Sequence, residues 1–382
     1  MRSEPRASEA LVGRVELLRA ERRTEIEPLI SRRELLLLPG ACSVGQALAP
    51  PEPRNISFPL HSTVERLTPW DLFFVLEHFP APEISLGDWR LTIEGRVRRR
   101  LELSLSDLIE SPTRKLEAVL ECATNVPGGT AVSNAVWEGV PFSYLLTEAG
   151  AASDAVRILI EGADIGRLAK SAPALPYTRV VPVEKCLRSE SLVAFKMNDR
   201  FLPRKNGQPA RALFPGWYGV DSVKWLQRIV VLGPSDDSLP YQESGMSKLY
   251  NRVVQSAVGE TSTTRITEMQ LKSVIAWPGD NWKLPAGKHE IRGFAWTGKG
   301  LVRTVSLSAD AGRTWTAAEL ESHPEPHAWV PWKCAWRAAP GDYVLMSRAV
   351  DEAGREQPLT RDPSRKDPYE LNFCAPVRSR VR

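Results

Sequence analysis

Met197-Asn198, Leu202-Pro203, Gly207 and Pro209-Ala210-Arg211 lead into Pro215-Gly216-Trp217-Tyr218-Gly219 and then Val223-Lys224-Trp225-Leu226. Proline fixes φ and lacks an amide donor, so a stretch broken this often belongs in ordered loops and at strand edges. It empties into a β-rich run, Leu226 to Leu232, that reads as the closing strand of a domain. The whole chain shares this character, with 31 prolines and 12 tryptophans in 382 residues, and predicts a β-rich protein with long ordered loops.

Working outward from that run, Trp89 to Val97 alternates like a strand and is followed by Leu101-Glu102-Leu103-Ser104-Leu105. Ser106-Asp107-Leu108-Ile109 opens a short capped helix. Val119 to Cys122 reads as a buried strand leading into a loop, Val140 to Ala149 as a helix, and Ala155 to Glu161 as another strand. Residues 57–235 therefore read as one α+β domain. A linker rich in Ser, Pro and Gly runs from Gly233 to about Thr267. Beyond it, turn signals at Trp277-Pro278-Gly279-Asp280, Pro285-Ala286-Gly287, Asp310-Ala311-Gly312 and Pro340-Gly341-Asp342 separate strands at Gly293 to Trp296, Val302 to Leu307 and Tyr343 to Val350. That spacing predicts an all-β, immunoglobulin-like sandwich within residues 236–382. The polar tail from Asp362 is expected to wrap a surface.

The hydrophobic and charged fractions, 42% and 25%, are those of a soluble globular protein, and 382 residues suffice for two domains. A formal charge of +4, with no basic stripe carrying interleaved aromatics, gives no sign of nucleic-acid binding. The densest basic run, Arg96 to Arg100, reads as a solvated turn. The five cysteines, Cys42, Cys122, Cys186, Cys334 and Cys374, form no CxxC pair and no CxxCH. A structural zinc site, a thioredoxin-like site and a covalent c-type haem are all unexpected.

Residues 1–56 read as an N-terminal extension. Arg32-Arg33 before an apolar run, with Ala47-Leu48-Ala49 suited to signal peptidase, resembles a twin-arginine export signal and points to the periplasm. Read as an ordinary surface helix ending at Pro39-Gly40, the same stretch leaves the protein cytoplasmic. No stretch is long and apolar enough to span a bilayer.

Three segments carry a resemblance. Leu67-Thr68-Pro69-Trp70-Asp71-Leu72-Phe73-Phe74-Val75 continues through His78-Phe79-Pro80-Ala81-Pro82; Glu121-Cys122-Ala123-Thr124-Asn125 continues to Trp137-Glu138-Gly139-Val140-Pro141-Phe142; the third is the run quoted at the outset. In order and spacing they resemble the sulfite oxidase family of molybdopterin enzymes, from about residue 57 to about residue 360. Ser306 to Trp315 is similar to that family's dimerisation module. The resemblance implies molybdenum bound through a molybdopterin (pyranopterin dithiolene), with Cys122 as the protein's metal ligand. A soft thiolate suits such a centre, and a metal-bound thiol is deprotonated. It further implies cofactor contacts at Phe74, His78, Asp164, Asn206, Arg211, Ser222 and Lys224, with Asn206 standing where the family often has histidine. Taken singly these residues are unremarkable: Cys122 a buried structural cysteine, His78 a core histidine, Arg211 a surface charge, Lys224 a strand-edge lysine.

The family's substrate pocket is a cluster of arginines, whose planar fork suits a sulfur oxyanion. Here Leu76 and Glu77 precede His78 where the resemblance implies an arginine and an asparagine, and Asn125 is followed by Val126-Pro127 where it implies two arginines. Lys333, in Trp332-Lys333, is the remaining candidate cation, and Glu77 is expected to repel sulfite. A tyrosine near the metal is expected at Tyr250, with Tyr241 as rival. The leading expectation is two-electron oxygen-atom transfer on sulfite or another sulfur compound. The protein is then a homodimer that exchanges electrons with an external carrier such as a c-type cytochrome and carries no haem, flavin or NAD of its own. The alternatives are a reductase of neutral S-oxides or N-oxides, a catalytically silent cofactor-binding homologue, and a sandwich protein that only binds a partner.

Overall fold

Leu91 and Ile93 are wholly buried with Thr92 between them, a period of two that makes Leu91–Gly95 a strand. A computed structural model describes residues 52–62, 65–236, 246–255, 261–365 and 367–382. The expectations at Arg32-Arg33, Ala47-Leu48-Ala49 and Tyr241 lie outside the described residues.

Leu91–Gly95 pairs antiparallel with Leu101–Leu103 and parallel with Leu226–Leu232. Leu226–Leu232 pairs on its other side with Arg157–Gly166, which holds Leu175–Pro182. A second sheet sets Arg114–Glu121 beside Val132–Pro141, then Leu192–Met197, which carries both Arg200–Phe201 and Arg211–Leu213. Ile93, Ile160 and Ile229 of the first sheet share a core with Val193 and Phe195 of the second and with Phe142 and Leu145 of a helix.

Helix is a minor part of this α+β arrangement. Among the described residues the α-helices are Leu105–Glu110, Phe142–Ala149 and Val183–Cys186. Helices this short are marginal by themselves, and Leu108, Phe142, Leu145 and Val183 pack them into the core. The first helix starts one residue earlier than its sequence suggests, because Ser104 and not a later serine forms the capping box, exchanging bonds with Asp107. The second starts two residues late: Val132–Pro141 stays extended through Val140 and Pro141, and Gly150 closes the helix in the left-handed region at φ 67°. The strand expected at Val119 begins at Arg114 and ends at Glu121, leaving Cys122 one step past its end.

The second half holds two facing sheets. Lys272–Trp277, Gly287–Trp296, Val330–Ala338 and Glu319–Leu320 form one; Trp282–Leu284, Val377–Val381, Gly341–Asp351, Val302–Ser308 and Thr316–Ala317 form the other. Ile275, Ile291 and Trp332 from the first meet Val305, Leu307 and Leu345 from the second in a common core, which defines a sandwich. The tail does more than wrap a surface. Val377–Val381 inserts between Trp282–Leu284 and Gly341–Asp351, its buried Ser379 and Val381 alternating with exposed Arg378 and Arg380. The halves join through Val119, Tyr218, Phe294, Trp296 and Trp329, with Phe294 and Trp329 stacked at 4.0 Å.

Candidate active site

The Arg114–Glu121 strand is exposed at its start and buried at its end, so it delivers Glu121 and Cys122 into the interior. The loop that follows is closed by its own polar groups. Cys122 N–H donates to Ala131 O (2.9 Å), Asn125 N–H donates to Cys122 O (2.9 Å), and Asn125 Oδ1 accepts from Ala131 N (3.1 Å). Glu121 is fully buried and accepts from Asn125 Nδ2 (3.1 Å), from Trp296 Nε1 (3.0 Å) and from the Lys272 ammonium. Lys272 and Trp296 belong to the sandwich, so the second half of the chain holds the first half's cysteine loop in shape. Sequence reasoning missed this contact, which joins residues 151 apart. The Cys122 thiol lies 3.1 Å from Thr124 Oγ1.

Cys122 lines a cavity of about 720 Å³, open mouth included. The structure brings Phe74, His78, Asp164, Asn206, Arg211, Ser222, Lys224 and Tyr250 to its wall as well. Sequence reasoning missed Tyr177, Lys205 and Val220 there. It also missed the buried Arg179, which pairs with Asp221 at 2.8 Å and stands 5.9 Å from the Tyr250 ring. A buried arginine on a strand has no sequence signature apart from the carboxylate it finds in the folded state.

Arg211 donates to Asn206 O (3.2 Å) and Ser222 O (2.8 Å) and lies 5.3 Å over the Trp137 ring. Burial lowers its guanidinium to about 9. Its Nε has no hydrogen-bond partner, and neither do Asp164 Oδ1 and Asn206 Oδ1. Burial raises the Asp164 carboxyl to about 7 and, with Arg211 nearby, brings the Lys224 ammonium down to about 7. Lys224 donates to Lys205 O (3.3 Å) and caps the Trp225 ring at 4.1 Å. Ser222 Oγ accepts from Phe214 N (3.2 Å), and Phe74 N donates to Ser133 Oγ (3.1 Å). Gly207 adopts φ 109°, and a Cβ on it would press on Lys224 and Arg211 at 3.1 and 3.2 Å, so glycine is required where these two cations converge. His78 packs against Tyr177 at 5.5 Å and Tyr250 at 6.5 Å, and burial lowers its pKa. Burial, with Cys122 nearby, pushes Tyr250 up to about 12.

Two expectations are corrected. Lys333 does not line the cavity; it sits on Val330–Ala338 and pairs with Glu319 (3.3 Å) and Glu321 (3.9 Å). Glu77 is not a free negative charge in the cavity wall, because Arg54 takes it in a two-point pair at 2.7 and 3.0 Å. Among the described residues no three His, Cys, Asp or Glu stand close enough to hold a metal ion by themselves. A metal at Cys122 would take its other ligands from a bound group.

Residues 78–239 match the family model of the oxidoreductase molybdopterin binding domain, and residues 263–364 that of the Mo-co oxidoreductase dimerisation domain. Sulfite oxidase of Gallus gallus is 30% identical over 334 residues, which cover 80% of this chain and 72% of that protein. The mitochondrial sulfite oxidase of Drosophila melanogaster is 31% identical over 80% of this chain, which spans 58% of the fly protein's length. A crystal structure of the sulfane dehydrogenase SoxCD from Paracoccus pantotrophus superposes with a TM-score of 0.74 at 27% identity, covering 93% of this chain and 95% of that one. The chain belongs to the sulfite oxidase family of molybdopterin-dependent oxidoreductases.

Proposed function

We propose that this chain is a molybdenum-cofactor oxidoreductase acting on a sulfur compound, with Cys122 as the protein's ligand to the metal. The observation that carries the reading is the coincidence, in one cavity, of a buried thiol with Arg211 Nε, Asp164 Oδ1 and Asn206 Oδ1, all buried and all without a protein partner. Buried polar atoms are left unpaired at a cost of about 1–3 kcal/mol each, and three around one cavity call for a polar ligand. A pyranopterin carrying a phosphate fits that donor and acceptor set. Arg211 and Lys224 supply cations for the phosphate, Asp164 and Asn206 supply acceptors for the pterin edges, and Cys122 supplies the thiolate. When bound, the group supplies two-electron oxygen-atom transfer.

The chain's own contribution is to hold and exclude. The Glu121–Lys272–Trp296 lock fixes the thiolate's loop, and Phe73, Phe74 and Trp225 wall off water. Of the residues lining the cavity, the arginine and lysines are Lys205, Arg211 and Lys224, and none lies on the Cys122 loop. Leu76, Leu120, Ala123 and Val220 line it instead. That apolar part of the wall offers a free dianion no arginine fork, and it suits a sulfur compound of lower charge. The superposition on a protein named as a sulfane dehydrogenase supports oxidation of reduced sulfur. Leu76 favours a second reading, reduction of a neutral S-oxide or N-oxide. We further read the sandwich as immunoglobulin-like and as the homodimer interface, and infer an external electron carrier such as a c-type cytochrome and export by the twin-arginine route. Among the described residues no helix is long and apolar enough to cross a membrane.

The test is molybdenum and pterin content per chain from a cofactor-producing host, followed by redox cycling with sulfite, sulfane-sulfur compounds and neutral S-oxides and N-oxides. Near-stoichiometric metal with cycling by a reduced sulfur compound is expected. A folded protein with neither metal nor pterin overturns the reading.

A further inference from the structure

We propose that Thr124 tunes the reduction potential of the metal by donating a hydrogen bond from Oγ1 to the Cys122 sulfur. This rests on Cys122 being the metal ligand. The two side-chain atoms are 3.1 Å apart, and in the thiol form either can be the donor. A metal-bound sulfur carries no proton, so the threonine hydroxyl then becomes the donor. The geometry is held from outside the pair. The turn closed by Asn125 N–H on Cys122 O sets Thr124 two residues past the cysteine, and Asn125 is anchored on the buried Glu121 that Lys272 and Trp296 grip. Among the described residues Thr124 Oγ1 has no other hydrogen-bond partner, so no other protein group diverts it.

A hydrogen bond to a ligating sulfur draws electron density from it and weakens its donation to the metal. The electron-rich, reduced metal is favoured and the potential rises. Glycine or alanine at position 124 would leave the sulfur without this donor. Thr124 is exposed, so replacing its hydroxyl with a methyl strands no buried polar group and leaves the fold intact.

The experiment is a redox titration of the metal in the cofactor-loaded wild type and in Thr124→Val, Thr124→Ala and Thr124→Ser, each with molybdenum content measured. Valine and alanine are both expected to shift the midpoint to more negative potential. A tenfold change in the one-electron equilibrium constant, which is about 59 mV, is the expected scale. Serine, which keeps the hydroxyl, is expected to restore the wild-type value. Alanine adds no methyl beside the sulfur, so agreement between valine and alanine assigns the shift to the hydroxyl. Equal potentials in all four loaded proteins overturn this inference and leave the cofactor reading standing. A wild type that takes up no molybdenum overturns the cofactor reading and this inference with it.

Discussion

Arg211, Asp164 and Asn206 are buried with polar atoms that find no protein partner, whereas the carboxylate behind Cys122 is buried with every oxygen engaged. The cavity wall is incomplete by itself, and the support behind it is complete. Unpaired polar atoms in a folded interior are stabilised only by something that enters. A fully paired carboxylate, gripped from another part of the fold, stabilises a shape already formed. The contrast separates the residues proposed to bind the cofactor from those that hold the Cys122 loop, and each part can be perturbed alone.

Cys122→Ser is the most severe break. It should remove turnover to background while leaving a folded protein of unchanged size in sedimentation, and full retained activity would refute the thiolate as ligand. Lys272→Met tests the complete region. It leaves Glu121 buried without its cation and should cost about 3–5 kcal/mol in urea denaturation. An unchanged midpoint would mean that Lys272 does not hold the loop.

The incomplete region predicts a pH effect in the cofactor-free chain. Asp164 is raised from 3.8 to about 7 in the fold, so between those values the folded state keeps a proton that the unfolded chain has released. Its contribution to stability is full below about pH 4 and is lost as pH rises through 7. Asp164→Asn cannot ionise. It should match the wild type at pH 4 and exceed it by on the order of 2–4 kcal/mol at pH 8. Equal stability at both values would place the carboxyl in a wetter site than this one. The smallest effect addresses the substrate: Leu76→Arg adds a fork donor to the wall and should lower KM for sulfite roughly tenfold, worth about 1.4 kcal/mol. No change would show that Leu76 does not face the substrate.

Much of this was legible in the chain because local patterns carry it. Leu226–Leu232 has the bounds its β-branched run implies, and the run of glycine and proline from Gly207 to Gly219 marks the loops that bring Arg211, Ser222 and Lys224 to one wall. Helix ends were read less well. The start at Phe142 depends on where Val132–Pro141 finds its partner Leu192–Met197, and a pairing that distant leaves no trace in a ten-residue window. Lys333 falls outside the expected site for a related reason: Trp332 precedes it in sequence, but Glu319 and Glu321 reach it only through the sheet.

The sequence by itself determined the family, the cysteine at the end of a buried strand and most of the side chains that meet at one cavity, since these rest on residue identities in a set order. Only the tertiary structure decided that Glu77 pairs with Arg54, that Asp164 and Lys224 are pulled toward neutrality, and that Lys272 and Trp296 close on Glu121. Charge state and burial depend on neighbours distant in the chain, and those neighbours exist only once the sheets have paired.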